Sequence, residues 1–117
     1  GHGWAIRQKQ TGADDFSIGG ALAANIHGRG LDQRPFVDDI EAFTLVQPDG
    51  QVVHVDRQRA PHLFSLAVGG YGLFGVVTDV TLRLAPRRVL QRRVALLRRA
   101  ELIPAFEQAR SEGALYG

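Results

Sequence analysis

The feature that most constrains this chain is a run of small residues at positions 17 to 30. These residues read SIGGALAANIHGRG and include four glycines and three alanines. Ser17 can cap a helix, because its hydroxyl accepts a backbone N–H of the first turn. Glycines let backbone N–H groups approach anionic oxygens, and a helix N-terminus adds a partial charge of about +0.5. The segment therefore predicts a short buried helix that either holds a diphosphate or merely packs tightly against a sheet.

The rest of the pattern predicts short strands and helices. β-Forming residues at 40–46, a Pro48-Asp49-Gly50 turn and alternating apolar positions at 51–56 predict a β-hairpin. The other predicted elements are strands at residues 5–9, 76–84 and 89–97 and helices at residues 61–68 and 101–112. Because short turns join adjacent strands, the fold class is α+β, with mainly antiparallel strands and short helices.

Residues 70–75 read GYGLFG, which formally matches the dinucleotide-binding pattern G-x-G-x-x-G. A Rossmann turn of this kind opens a helix and has an acidic residue about twenty positions later. Here residues 76–82 are strand-like, and Ala95 stands at the later position. We therefore reject a Rossmann turn.

Charge is divided unevenly along the chain. Residues 1–82 carry 6 basic and 9 acidic groups, whereas residues 83–117 carry 8 and 3. Three arginine pairs between positions 87 and 99 suit phosphates or another anionic partner, although a solvated charged surface is the simpler interpretation. No aromatic residues alternate with these arginines, so we expect no nucleic-acid binding. A non-catalytic α+β binding module with a basic C-terminal face is the alternative to an enzyme.

Several other functions find no support in the sequence. The chain has no cysteine, which excludes disulfides and thiolate metal sites within it. Its four histidines are scattered, and the Asp14-Asp15 and Asp38-Asp39 pairs fall on predicted loops, so we expect no metal. No serine has the flanking pattern of a hydrolase nucleophile. No apolar run approaches the roughly 18 residues that span a bilayer, and no signal peptide is visible, so we expect a cytoplasmic protein without a membrane span.

Three motifs occur in an order that resembles a known family. They are SIGGALAANIHG at residues 17–28, the Pro48-Asp49-Gly50 turn, and a third segment with Leu63-Phe64 and VGGYGLFGVVT at residues 68–78. Together they resemble the PCMH-type FAD-binding domain of the vanillyl-alcohol oxidase and p-cresol methylhydroxylase superfamily. The sugar and alditol oxidases and the decaprenylphosphoryl-ribose oxidase group look most similar.

This resemblance covers about residues 12–86 and implies a domain division. Residues 1–86 would be the second, C-terminal half of the FAD-binding domain, and residues 87–117 the start of a truncated substrate or cap domain. The family's N-terminal glycine-rich loop, which grips the diphosphate from the other side, is absent. We therefore expect a fragment that is inactive alone.

The resemblance also implies FAD as the cofactor. The positions that match its binding residues are Gly12, Ser17, Ile18, Gly19, Gly20, Ala24, Asn25, Ile26, His27, Gly28 and Val77. The first five lie against the diphosphate in such domains, and the next four run beside the ribityl chain and isoalloxazine ring. Gly28 allows the turn after His27, and Val77 meets the adenine portion through its backbone.

The implied function is an FAD-dependent oxidoreductase that oxidises a hydroxylated carbon of a sugar, polyol or sugar lactone by hydride transfer to flavin. It would take a small-molecule substrate and pass electrons to oxygen or another acceptor. A flavin-dependent reductase of UDP-linked enolpyruvyl sugars is the related alternative. We assign no catalytic base. His27 is a candidate for a hydrogen bond near the flavin, with a structural histidine as the simpler interpretation, and we expect His2, His54 and His62 on the surface.

Overall fold

The main sheet consists of three antiparallel strands. In the computed structural model, which describes residues 2–7 and 15–116, these are β2 (Ile40–Val46), β3 (Val52–Asp56) and β4 (Val76–Leu82), in the order β3-β2-β4. The turn between β2 and β3 is closed by the Gly50 N–H, which donates to the Gln47 carbonyl at 2.9 Å. The predicted hairpin and its antiparallel pairing are confirmed.

Two helices pack on this sheet, α1 (Ile18–Ala24) on β4 and α2 (Pro61–Ala67) on β3. Both helices were predicted. The Ser17 hydroxyl accepts the Gly20 N–H at 3.0 Å, which confirms the predicted N-cap. Proline at the first position of α2 fits the helix start, because its missing N–H would have had no partner there.

The hydrophobic core lies between the sheet and these two helices. Its apolar members are Ala21, Leu22, Phe36, Ile40, Phe43, Leu45, Val55, Phe64, Ala67 and Val68. The rings of Phe43 and Phe64 are tilted, with centroids 5.5 Å apart, as aromatic pairs prefer. Among the described residues, the buried apolar members of the core all lie between positions 21 and 68.

A second, two-stranded antiparallel sheet joins β1 (Trp4–Ile6) to β5 (Leu84–Pro86). The strand predicted at residues 76–84 is thus divided, since its end leaves the main sheet after Arg83 and pairs with β1. The strand predicted at residues 5–9 begins one residue early, and its last two residues lie outside the described part of the chain.

The strand predicted at residues 89–97 is wrong. Residues 87–98 form neither helix nor strand, and all of them are exposed. The Arg87 N–H donates to the Gly3 carbonyl at 2.8 Å, at the end of the small sheet. Strand propensity alone does not supply a partner for backbone hydrogen bonds, and neither sheet extends to these residues.

After this extended segment, a 3-10 turn (Arg99–Glu101) leads into α3 (Leu102–Ser111). The helix predicted at residues 101–112 is therefore confirmed. Within residues 2–7 and 15–116, no helix combines the length and the apolar character needed to cross a membrane.

Candidate functional site

A cleft of about 370 Å³ lies between α1, the start of β4 and the loop that joins α2 to β4. One wall includes Ser17, Gly19 and Gly20. The other wall consists of residues 71, 72 and 74–77. The volume of the cleft falls within the range of roughly 300–1,000 Å³ that is typical of small-molecule sites. The cleft is therefore large enough for part of a dinucleotide.

The loop after α2 is fixed along α1 by backbone contacts. The Gly69 N–H donates to the Leu22 carbonyl at 3.0 Å, and the Tyr71 N–H donates to the Ala23 carbonyl at 2.9 Å. At the other end of the helix, the Val77 carbonyl lies 3.9 Å from where a Gly19 Cβ would be. The loop thus runs along α1 from the end of the helix back to its beginning, and the cleft lies between the loop and the helix.

Gly75 lets β4 start close to the end of β2. Its φ of +142° is strained for any residue with a side chain, and a Cβ there would collide with the Val46 carbonyl. Residues 70–75 lead into strand β4 rather than a helix, so the rejection of a Rossmann turn is confirmed. The close approach of Gly75 to the Val46 carbonyl is therefore a packing requirement for glycine that does not depend on a ligand.

The start of α1 offers backbone donors in an uncharged setting. The Ser17 cap satisfies the Gly20 N–H, whereas the N–H groups of Ile18 and Gly19 belong to the first turn, where no partner exists within the helix. The first turn has no acidic residue, and the described residues that line the cleft include no Asp, Glu, Lys or Arg. An anion here would therefore be bound by backbone N–H groups rather than by basic side chains.

Of the predicted cofactor-binding residues, the structure brings Ser17, Gly19, Gly20 and Val77 into this cleft. Ile18 is half-buried and packs against the hydrophobic core. Gly12 lies outside the described residues.

The second predicted group, residues 24–28, does not line the cleft. It follows the C-terminus of α1, about 10 Å from the helix start for a helix of seven residues. Asn25 ends the helix with φ of +43°, and its side-chain oxygen accepts the Val37 N–H at 3.0 Å. The Ile26 carbonyl accepts the Phe36 N–H at 2.8 Å. Asn25 and Ile26 therefore also anchor the 3-10 helix that precedes β2.

His27 is exposed, and its Nδ1 lies 3.4 Å from the Gly28 carbonyl oxygen. The structure places no other titratable group against it among the described contacts. His2, His54 and His62 are exposed as predicted.

Tyr71 and Phe74 also line the cleft, although the sequence did not predict them as site residues. Tyr71 is 79% exposed and has a φ of +52°, which is unusual for a residue with a large side chain. The glycines on either side were a signal of an irregular backbone.

Asp39 was expected on a loop but is buried in the 3-10 helix Phe36–Asp39, with 2% of its side chain exposed. One carboxylate oxygen accepts a hydrogen bond from Arg7 at 2.5 Å. This pair lies apart from the cleft and links β1 to the main sheet. In residues 2–7 and 15–116 no group of three or more His, Cys, Asp or Glu side chains is placed to hold a metal ion.

No family model matches the chain, but curated proteins resemble it. Cytokinin dehydrogenase 2 from Oryza sativa subsp. japonica is 29% identical over 111 residues, which cover 87% of this chain and 20% of that protein. The mitochondrial L-galactono-1,4-lactone dehydrogenase from Arabidopsis thaliana is 36% identical over 86 residues, covering 74% and 13%. Cytokinin dehydrogenase 5 from Oryza sativa subsp. japonica is 32% identical over 91 residues, covering 75% and 17%. The chain thus spans at most a fifth of these relatives' length.

Proposed function

We propose that this chain is part of a PCMH-type FAD-binding domain in a flavin-dependent oxidoreductase. Its relatives, the cytokinin dehydrogenases and L-galactono-1,4-lactone dehydrogenases, are FAD-binding flavoproteins. The ordered motifs in the sequence resemble the same type of domain. The single structural observation that supports the proposal is the cleft, in which the start of α1 and Val77, far apart in the sequence, face each other.

The cleft suits the adenosine diphosphate part of FAD. Backbone N–H groups of Ile18 and Gly19 are available to the diphosphate, and Gly19 leaves space beside the Val77 carbonyl. We assign Gly12 to the same diphosphate contact and Val77 to the adenine portion. Ala24, Asn25, Ile26, His27 and Gly28 would follow the ribityl chain and isoalloxazine ring, because they continue from the far end of α1.

When bound, FAD would supply the hydride acceptor for oxidation of a substrate carbon. The residues assigned above would hold and orient the cofactor, and His27, which is exposed beyond the end of α1, would donate a hydrogen bond to flavin or substrate. The division at Pro86 belongs to the same proposal. Residues 1–86 complete the cofactor domain, and residues 87–117 begin the substrate domain.

For the substrate we propose a hydroxylated carbon in a sugar, polyol or sugar lactone. One relative is named for a sugar lactone, L-galactono-1,4-lactone, and the sequence motifs resemble sugar and alditol oxidases. Other relatives are named for cytokinins, a different class of substrate. Anaerobic addition of sugar lactones, polyols and cytokinins to the full natural protein distinguishes these classes, since only a substrate bleaches the flavin absorption.

The cofactor is tested by the visible absorption spectrum of the full natural protein, followed by acid precipitation. We expect the two visible bands of an oxidised flavin, and the chromophore's release or retention reports its linkage. A colourless protein that takes up no added FAD would contradict the proposal. Salt-dependent binding to nucleic acid would then favour the basic binding module instead.

A further inference from the structure

Tyr71 occupies a backbone conformation that a tyrosine adopts only at a cost. Its φ of +52° is in the left-handed region, where the side chain crowds the backbone. Its N–H is bonded to the Ala23 carbonyl, which fixes the residue beside α1. A glycine would meet the same turn without strain, as Gly69 and Gly72 do at φ of +78°. The turn itself therefore does not explain why a tyrosine stands here.

Tyr71 also leaves its large side chain in solvent at the cleft. It is 79% exposed, and it lines the cleft together with Val77. Leu73 in the same loop is also 79% exposed but does not line the cleft. Both residues are thus exposed, but of the two only Tyr71 lies at the cleft. Strain retained at such a position is typical of residues that act on a ligand.

We propose that Tyr71 is a ligand-binding residue whose ring stacks on the adenine of the bound dinucleotide. This inference rests on the proposed function. Of the two ring systems of FAD, we assign adenine to Tyr71. Val77, which we assign to the adenine portion, lines the same cleft, whereas residues 24–28, which we assign to the flavin side, do not line it. With no charged side chain among the described lining residues, packing of flat surfaces is the interaction that the cleft offers a purine.

Calorimetric titration of the full natural protein, stripped of cofactor, tests this with FAD and separately with ADP. Tyr71→Phe keeps a stacking ring and should bind both ligands within about twofold of the unaltered protein. Tyr71→Ala should weaken both by about tenfold, because it removes the aromatic ring on which the base stacks. Leu73→Ala, the matched control in the same loop, should change neither affinity.

Tyr71→Gly separates ligand binding from folding. Glycine removes the backbone strain at positive φ, which stabilises the folded protein, but it also makes the unfolded chain more flexible, which destabilises the folded protein. Because these two effects offset each other, the melting temperature of the cofactor-free protein should not fall. Affinity for FAD and ADP should nevertheless fall as it does in Tyr71→Ala. A tyrosine needed only for loop structure would instead lower the melting temperature in both variants.

Each contrary result has a distinct meaning. Unchanged FAD affinity in Tyr71→Ala overturns the role of Tyr71 while leaving the proposed function intact. A loss for FAD without a loss for ADP, or an unaltered protein that binds FAD but not ADP, overturns the assignment to adenine. An unaltered protein that binds neither ligand overturns the proposed function and this inference together.

Discussion

Residues 15–86, the core region, contain the buried hydrophobic core, whereas residues 87–116, the C-terminal region, contain no fully buried residue. Phe43 and Leu22 in the core region are 0% exposed. In the C-terminal region Val89 and Leu96 are each 101% exposed, and Val94 is 74% exposed. Both regions contain β-branched and aliphatic residues in runs, so the difference lies in what each run can pack against.

A few hydrogen bonds and an ion pair between described residues tie the C-terminal region to the rest, including the bond from the Arg87 N–H to the Gly3 carbonyl. The Leu31 N–H donates to the Leu115 carbonyl at 3.0 Å, the Tyr116 hydroxyl donates to the Arg7 carbonyl at 3.1 Å, and Arg110 forms an exposed ion pair with Asp32. Exposed ion pairs contribute at most about 1 kcal/mol. All described lining residues of the cleft belong to the core region. Folding and cofactor binding are therefore expected not to depend on the C-terminal region.

The largest expected effect comes from truncating the centre of the core. Phe43→Ala should lower the free energy of unfolding by about 3–5 kcal/mol, because it leaves a cavity beside Phe64. Val94→Ala, the control in the C-terminal region, should change the same quantity in this chain by less than about 0.5 kcal/mol. Urea denaturation measures both, and similar losses in the two variants would break the comparison.

Removing the N-cap of α1 should have the next largest effect. Ser17→Ala leaves the Gly20 N–H without its side-chain acceptor and should cost about 1 kcal/mol of stability. Affinity for FAD should fall as well, since this turn forms one wall of the cleft. Ser111→Ala removes a hydroxyl that donates to the Gln108 carbonyl at 2.7 Å in the C-terminal region, and should leave FAD affinity unchanged. If Ser17→Ala binds FAD as tightly as the unaltered protein does, the assignment of FAD to this cleft is contradicted.

Gly19→Ala should move stability and binding in opposite directions. Alanine is preferred to glycine in a helix by about 0.5–1 kcal/mol, and the nearest atom to the added Cβ is the Val77 carbonyl oxygen at 3.9 Å. The free energy of unfolding should rise, while the methyl group occupies cofactor space and FAD affinity should fall severalfold. Ser65→Ala on the exposed side of α2 is the control, with no expected change in FAD affinity.

The smallest effect concerns pH at the turn after β3. Backbone N–H groups of Arg59 and Gln58 donate to the Asp56 carboxylate and lower the pKa of Asp56 below its usual 3.8. The ionised form therefore favours folding above pH of about 4, and this contribution is lost as the pH falls through the lowered pKa. Asp56→Asn keeps an acceptor but should lack this part of the acid dependence. If the urea midpoints of the unaltered protein and of Asp56→Asn are identical from neutral to acidic pH, the stabilising role of the ionised Asp56 carboxylate is contradicted.

Elements set by nearby residues were predictable from the sequence. The hairpin follows from the Pro48-Asp49-Gly50 turn between two strand patterns, and the Ser17 cap follows from the residue types around it. Both depend on contacts a few residues apart. The same holds for α2, since the helix predicted at residues 61–68 is observed at Pro61–Ala67.

Features that depend on distant partners were not predictable. The pairing of β1 with β5 and the burial of Asp39 against Arg7 join opposite parts of the chain. The strand predicted at residues 89–97 failed for the same reason, since local propensity says nothing about a partner strand. In the site, the small residues at 17–20 indicated a cofactor segment and the family resemblance implied Val77, but the position of Tyr71 at the same cleft became evident only from the fold.

The most direct test of the central claim, that this cleft holds FAD, is a crystal structure of the full natural protein with its bound chromophore. We predict diphosphate density against the backbone of residues 17–20 and adenine density between Val77 and the ring of Tyr71. Density for FAD that contacts neither the start of α1 nor Val77 would contradict the account, because the cleft would then be a packing feature of the core region.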